Sequence, residues 1–290
     1  MAYEEVREFD FSEADFRRVR ELIKARAGID LGNHKQSLVY GRLARRVRAL
    51  GLATFAQYLT SIENETSEES GRFINAITTN VTEFFRENHH FEFLARTVLP
   101  ALWARAEPAG RRVRFWSAGC STGEEPYSLA MVLRESMPTS PGWDIKILAT
   151  DLDTDVLAHA SAGIYTADRA EKIGRARLGR FFEPAGAAGG AGAVRASDAI
   201  RSLITFKQLN LMEPWPMQGP FDVIFCRNVV IYFDDATKVK LVRRYRELLG
   251  PAGHLFLGHS ESLASTALGF ESCGKTIHRK VAGAPATTDA

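Results

Sequence analysis

The sequence predicts an α/β fold preceded by an all-helical front, and three observations carry that prediction. Before about residue 110 the apolar positions recur at helical spacing and nothing alternates like a strand. From Arg111 onward, short strand-like runs recur between helical stretches, the texture of a mostly parallel sheet covered by helices. A turn of small residues joins the first of these strands to a helix.

Taken in order, Ser12-Glu13-Ala14-Asp15 reads as a capping box, Phe16, Val19 and Ile23 follow at helical spacing, and Gly28 stands as the stop. A second helix begins near His34, carries Val39, Leu43, Val47 and Leu50 on one face, and ends at Gly51. A third runs from about Thr54 to Glu63 with Phe55, Tyr58, Leu59 and Ile62 inward. Residues 1–75 thus read as a helical domain and 76–110 as a helical linker. The strand-like runs Val113–Trp116, Ile145–Ala149, Phe221–Phe225 and His254–Leu257 define an α/β domain over 111–283. Its alternation fails over 164–207, where Pro184 to Val194 is almost pure Gly and Ala, so this stretch reads as an insertion with a flexible loop. Residues 284–290 read as a disordered tail.

With 45% hydrophobic residues, the 290-residue chain can build a substantial core. It has no apolar run of eighteen, and its start lacks a secretory pattern, so the expectation is a cytoplasmic protein with no direct membrane insertion. Cys120, Cys226 and Cys273 are far apart and form no CxxC pair, which argues against a disulfide framework or a zinc site. Net charge is only +2, yet residues 11–50 hold ten Lys/Arg against four Asp/Glu. The front of the chain is therefore suited to an acidic partner, either nucleic acid or an acidic protein surface.

The turn Ser117-Ala118-Gly119-Cys120-Ser121-Thr122-Gly123-Glu124-Glu125-Pro126 leaves a strand and enters a helix. Small residues there let the backbone approach a ligand, and the strand end is where open α/β sheets bind one. The next strand ends at Asp151, a carboxylate suited to ribose hydroxyls. Glu124 and Glu125 would repel a pyrophosphate at the helix N-terminus, which disfavours a dinucleotide. S-adenosylmethionine, with its sulfonium and ammonium, suits an acidic pocket.

Three longer motifs sharpen this: Thr78-Thr79-Asn80-Val81-Thr82-Glu83-Phe84-Phe85-Arg86-Glu87-Asn88-His89-His90-Phe91, then Trp116 through Ser128, then Phe225-Cys226-Arg227-Asn228-Val229-Val230-Ile231-Tyr232-Phe233-Asp234. Together they resemble the signatures of CheR-type chemotaxis receptor methyltransferases, over about Phe11 to Arg279. The resemblance implies a class I (Rossmann-like) S-adenosylmethionine methyltransferase domain, an N-terminal all-helical docking domain, and a small inserted antiparallel β subdomain. It implies donor contacts from Asn80, Thr82, Arg86, Glu125, Asp151, Asn210, Leu211, Arg227 and Asn228. It also implies methylation of receptor glutamates, with S-adenosylhomocysteine as by-product, for sensory adaptation in a bacterial cytoplasm.

A glutamate carboxylate is already anionic at neutral pH, so attack on a sulfonium methyl needs no general base and rests on positioning and desolvation. Arg86 and Tyr232 are the candidates for orienting the acceptor, with Arg86 equally able to hold the donor's carboxylate. His89 and His90 lack a third ligand at useful spacing, so no metal is expected. On the second helix, Arg42, Arg45 and Arg46 flank the apolar face and are assigned to docking the acidic helices of a chemotaxis receptor's cytoplasmic domain. The enzyme is expected to act as a monomer. A nucleic-acid methyltransferase and a donor-binding sensor or scaffold are the competing readings. Against the first, the strand end Cys226-Arg227-Asn228 lacks an Asn-Pro-Pro-Tyr-like tetrad.

Overall fold

The computed structural model describes residues 7–63, 67–261 and 268–281. The expected disordered tail, 284–290, lies outside the described residues. The first helix, α1 (Glu13–Ala27), opens on a capping box in which Ser12 Oγ accepts from the Asp15 N–H at 3.1 Å and the Asp15 carboxylate accepts from the Ser12 N–H at 3.0 Å. It stops at Gly28, whose φ of 72° suits a residue without Cβ. Helices α2 (Gln36–Ala49), α3 (Phe55–Ser61) and α4 (Glu68–Ile77) pack around it. Val19, Ile23, Val39, Leu43, Val47, Phe55, Tyr58 and Phe73 form their buried core. Leu50 departs from the expectation, since α2 ends at Ala49 and its cap residue turns outward, 43% exposed.

The linker contains α5 (His89–Phe93), a π turn at Leu94–Val98 and α6 (Leu99–Ala106). The α/β domain follows with β1 (Arg112–Ala118), α7 (Glu124–Ser136), β2 (Asp144–Asp151) and α8 (Thr154–Ala162). An inserted subdomain then comprises β3 (Ile164–Tyr165), α9 (Ala167–Ala170), α10 (Arg175–Phe181), β4 (Phe182–Pro184), β5 (Val194–Ala196) and α11 (Asp198–Arg201). Its three strands form a separate antiparallel sheet ordered β3-β5-β4. The chain re-enters the main sheet at β6 (Ile204–Gln208) and continues through β7 (Phe221–Cys226), α12 (Asp235–Leu248), β8 (Leu249–Leu257), β9 (Phe270–Gly274) and β10 (Ile277–Lys280).

The boundary of the insertion needs correction. Residues 204–207, assigned to it from sequence, belong to β6, which pairs parallel with β2 at the edge of the main sheet. An edge strand of five residues is covered on one face only and leaves too short an apolar signal to separate from a loop.

The main sheet runs β6-β2-β1-β7-β8-β10-β9, with β10 antiparallel to both neighbours. The chain leaves β1 for β2 on one side and later returns to β7 on the other. That reversal opens a crevice at the carboxyl ends of β1 and β7, the topological switch point of an open α/β sheet. The helical domain lies over the crevice. Asp30 N–H donates to the Tyr232 carbonyl at 2.8 Å, Lys24 pairs with Asp234 at 3.0 Å, and Asn75 Nδ2 donates to Thr154 Oγ1 at 2.9 Å. No helix among the described residues is long and apolar enough to cross a membrane.

Candidate functional site

A cavity of about 470 Å³ occupies this crevice, walled on one side by strand ends and on the other by α1, α2 and the linker. That volume is in the range of small-molecule and cofactor sites. Each motif read from the sequence contributes to its lining. Gly119 and Ser121 come from the turn after β1, Asp151 from the end of β2, and Asn210 and Leu211 from the loop after β6. Arg227, Asn228 and Tyr232 follow β7, while Asn80, Thr82 and Arg86 come from the linker and Glu125 from the first turn of α7. All nine expected donor contacts and both expected orienting residues therefore share one cavity.

The turn after β1 is held in place by a carboxylate. Asp151 accepts from the Ser121 N–H at 2.7 Å and from the Asp153 N–H at 3.1 Å, while Ser121 Oγ donates to the Asn80 carbonyl at 2.9 Å. Ser121 has φ of 50° and Gly119 φ of 85°, left-handed backbone that keeps the turn tight under the cavity. Asp153 caps α8 and also accepts from Thr78 Oγ1 and Asn80 Nδ2, both at 2.7 Å, which pins the linker to the strand end.

The two glutamates of α7 separate in role. Glu124 faces Arg169 of the insertion at 2.6 Å and accepts from Thr122 Oγ1, away from the cavity. Glu125 lines the cavity and shares its oxygens between Ser117 Oγ at 2.7 Å and Arg227 Nη1 at 3.1 Å. Burial pushes the Glu125 carboxyl above the ordinary range, opposed first by the Arg227 charge and then by the Ser117 bond. Burial also raises Asp151, against the backbone N–H groups that favour its anion. Two acidic groups facing a shared cavity suit a ligand carrying positive charge.

Arg227 is only 5% exposed and is the hub of the floor. Besides Glu125 it reaches the Arg86 carbonyl and, at 3.3 Å, Glu87. Glu87 in turn accepts from His259 Nδ1 at 2.9 Å. Burial alone would raise Glu87, but the His259 bond and the Arg227 charge outweigh it and bring its pKa to about 2. Burial beside Arg227 lowers His90 to about 4, so it stays neutral. The expectation that His89 and His90 lack a third ligand is corrected by Glu87, since the three bring ligand atoms within 4.8 Å of one another; Arg227 already meets the Glu87 charge and His90 Nε2 already faces the Lys275 carbonyl at 2.8 Å.

Sequence reasoning passed over Glu261. Only 4% exposed, it accepts from the N–H groups of Gly258, Asn228 and Ile231 at 2.5, 2.9 and 3.2 Å. It thereby holds the loop after β7, including Asn228 at φ of 58°. Its signal was available, because a carboxylate just beyond a sheet strand is the feature that identified Asp151. Glu87 stands within the linker motif, but its spacing there says nothing of the arginine it meets.

Tyr232 lines the cavity, and burial raises its hydroxyl above the ordinary tyrosine value against the charges of Arg86 and Arg42, leaving a neutral phenol. Arg86 donates to the Val81 carbonyl at 2.6 Å. Asn210 braces the two domains while lining the cavity, its amide donating to the Arg26 carbonyl at 2.7 Å.

The docking assignment on α2 narrows. Arg42 donates to the Ile77 and Thr78 carbonyls at 2.6 and 2.8 Å, and so closes the end of α4. Arg46 makes a two-pronged pair with Glu69 at 2.9 and 2.5 Å. Arg45 alone of the three is exposed without a partner among the described residues. Helical spacing shows which residues share a face, but not that another helix of the same domain covers it.

Two family models match adjoining stretches of the chain: "CheR methyltransferase, all-alpha domain" over residues 14–78 and "CheR methyltransferase, SAM binding domain" over 80–278. The chain is 45% identical over 273 residues to a chemotaxis protein methyltransferase of Salmonella typhimurium, covering 92% of this chain and 90% of that protein. It is 44% identical over 270 residues to the Escherichia coli protein of the same name, covering 92% and 91%. It is also 44% identical over 260 residues to a probable chemotaxis protein methyltransferase of Rhizobium etli, covering 89% and 96%.

Proposed function

The chain belongs to the CheR methyltransferase family, an S-adenosylmethionine-dependent group, and we propose that it esterifies glutamate side chains on the cytoplasmic domain of a chemotaxis receptor. The observation that supports this most is the arrangement around one cavity: Glu125 and Asp151 lie with the strand ends, while Arg86 and Tyr232 line the same space. The acidic groups fit a cationic donor, and the arginine and phenol fit an anionic acceptor.

S-adenosylmethionine supplies an electrophilic methyl group on a sulfonium. Asp151, with Gly119 and Ser121, would hold the nucleoside end at the carboxyl ends of β1 and β2, and Glu125 would meet the ammonium. Asn80, Thr82, Leu211 and Asn228 complete the lining. Tyr232 donates through its neutral hydroxyl, and Arg86 through its guanidinium, to orient the acceptor carboxylate. No side chain has to remove a proton, because the acceptor is ionised at neutral pH. The helical domain over the crevice keeps water from the approaching carboxylate, which favours a step in which opposite charges neutralise. The enzyme acts in the cytoplasm as a monomer.

Incubation with methyl-labelled donor and a receptor cytoplasmic fragment tests the reading. Base treatment is expected to release the label as methanol, the behaviour of a carboxyl ester. Alkali-stable label on nucleic acid instead would overturn it.

A further inference from the structure

Six large apolar side chains are exposed among the described residues, and three of them, Leu38, Val81 and Ile231, line the same cavity. Val81 is 75% exposed, Ile231 45% and Leu38 43%. Single exposed apolar residues need no explanation, but three from distant parts of the chain converging on one opening do. Leu38 stands apart from the face of α2 that buries Val39, Leu43 and Val47, so packing within the helical domain does not require it. Val81 lies between the cavity-lining Asn80 and Thr82, and Ile231 immediately precedes Tyr232.

We infer that these three side chains form an apolar rim that reads the residues flanking the acceptor glutamate on the partner helix. The inference rests on the protein-glutamate methyltransferase reading and adds a specificity determinant to it. On a helical acceptor, residues three and four positions from the glutamate share its face. With the carboxylate in the cavity, those neighbours meet the rim, and apolar side chains there cover Leu38, Val81 and Ile231. A charged neighbour would lose its hydration against them without gaining a partner.

Charge complementarity favours an acidic helix as the occupant, because the acids beside the rim, Asp30 and Glu83, already pair with Lys24 and Lys172, while Lys35 and Arg45 have no anionic partner among the described residues. Lys35 and Arg86 line the cavity beside the rim, and Arg45 lies seven residues after Leu38, on the same stripe of α2. Seven residues rise about 10.5 Å along a helix, or two turns. A partner helix lying along α2 therefore presents an acidic residue about two turns from the apolar residue that meets Leu38.

The test uses the full chain with Leu38→Ser, Val81→Ser and Ile231→Ser, singly and together, and with Val81→Ile as the conservative control. Methyl transfer to a chemotaxis-receptor cytoplasmic fragment is followed by methanol release, and S-adenosylhomocysteine affinity by calorimetry. The triple variant is expected to raise KM for the fragment on the order of tenfold with little change in kcat, the pattern of lost uniform binding. S-adenosylhomocysteine affinity is expected to hold, Val81→Ile to behave as wild type, and the defect to persist at high salt. An unchanged KM overturns the inference. So does a parallel loss of S-adenosylhomocysteine affinity, which would make the rim part of the donor site, or a shift from dimer to monomer on gel filtration, which would make it a self-interface. Failure of the wild-type enzyme to release methanol from the fragment is a different result and breaks the methyltransferase assignment underneath.

Discussion

The floor of the cavity and its rim are built on opposite principles. On the floor, Asp151, Arg227, Glu125, Glu87 and Glu261 are buried or nearly so and tied to one another or to backbone N–H groups, around left-handed backbone at Ser121 and Asn228. At the rim, Leu38, Val81 and Ile231 stand in solvent, as does Arg45 farther along α2. A small donor has to be met by groups already in place, because any reorganisation is subtracted from its binding. A large partner brings its own covering surface, so the residues that read it remain open until it arrives.

The largest way to break that contrast is Arg227→Ala. It leaves Glu125 and Glu87 buried without their shared cation, and breaking such a buried pair costs about 3–5 kcal/mol. Urea denaturation should show most of that loss, with S-adenosylhomocysteine binding weakened as well. Near wild-type values in both would mean that the network does not hold the floor.

Asp151→Ala should weaken S-adenosylhomocysteine binding by about 1.5–3 kcal/mol, the range for losing a charge-assisted hydrogen bond. Circular dichroism should still report a folded protein. Unchanged affinity in calorimetry would remove Asp151 from the donor site. The variant also frees the Ser121 N–H, so Asp151→Asn, which keeps an acceptor there, should retain part of the affinity.

Acid should act against two groups of the floor, His90 and Glu87, whereas the raised Glu125, Asp151 and Glu261 carboxyls carry the opposite sign. His90 is lowered to about 4, so the folded state binds fewer protons than the unfolded state; its contribution is full above the ordinary value of 6.5 and is lost as pH falls toward 4. Glu87, lowered from 4.5 to about 2, has the same sign: its contribution is present above 4.5 and is lost as pH falls toward 2. The His90 and Glu87 contributions should therefore be lost in two stages below pH 6.5, and denaturation midpoints of Glu87→Gln should fall less than those of the wild type across the lower one. An identical decline in that variant would count against the Glu87 network.

The smallest effect separates arginines that the sequence could not distinguish. Arg45→Ala should leave stability unchanged and slow methylation of a receptor fragment at low salt, the difference fading as salt screens exposed charge. Arg42→Ala should instead cost about 1 kcal/mol of stability, the usual worth of a hydrogen bond, with little dependence on salt. If both behave alike, the division between bracing and docking on α2 fails.

Much of this was legible in the residues. The capping box at Ser12, the stop at Gly28, the main parallel strand runs, the glycine turn and the carboxylate at Asp151 are local features, each recorded in a few neighbouring residues. The motif residues of the site were likewise found in sequence, and all of them line one cavity. The short edge strand β6 was missed because one covered face in five residues carries almost no periodic signal. Glu261 stands beyond a strand end as Asp151 does, and one partner, the Gly258 N–H, is local, but its hold on the loop after β7 runs through the N–H groups of Asn228 and Ile231, 30 or more residues away.

The sequence by itself determined most of the elements and the motif residues that line the cavity, because caps, turns and periodic apolar faces are interactions between near neighbours. Only the tertiary structure decided how those residues are used. It turned Arg42 and Arg46 inward and left Arg45 free, set Glu124 on the insertion and Glu125 in the cavity, and drew Leu38, Val81 and Ile231 to one opening. These outcomes depend on which surfaces meet across long stretches of chain, and a side chain's partner is known only once the helix or loop opposite it is in place.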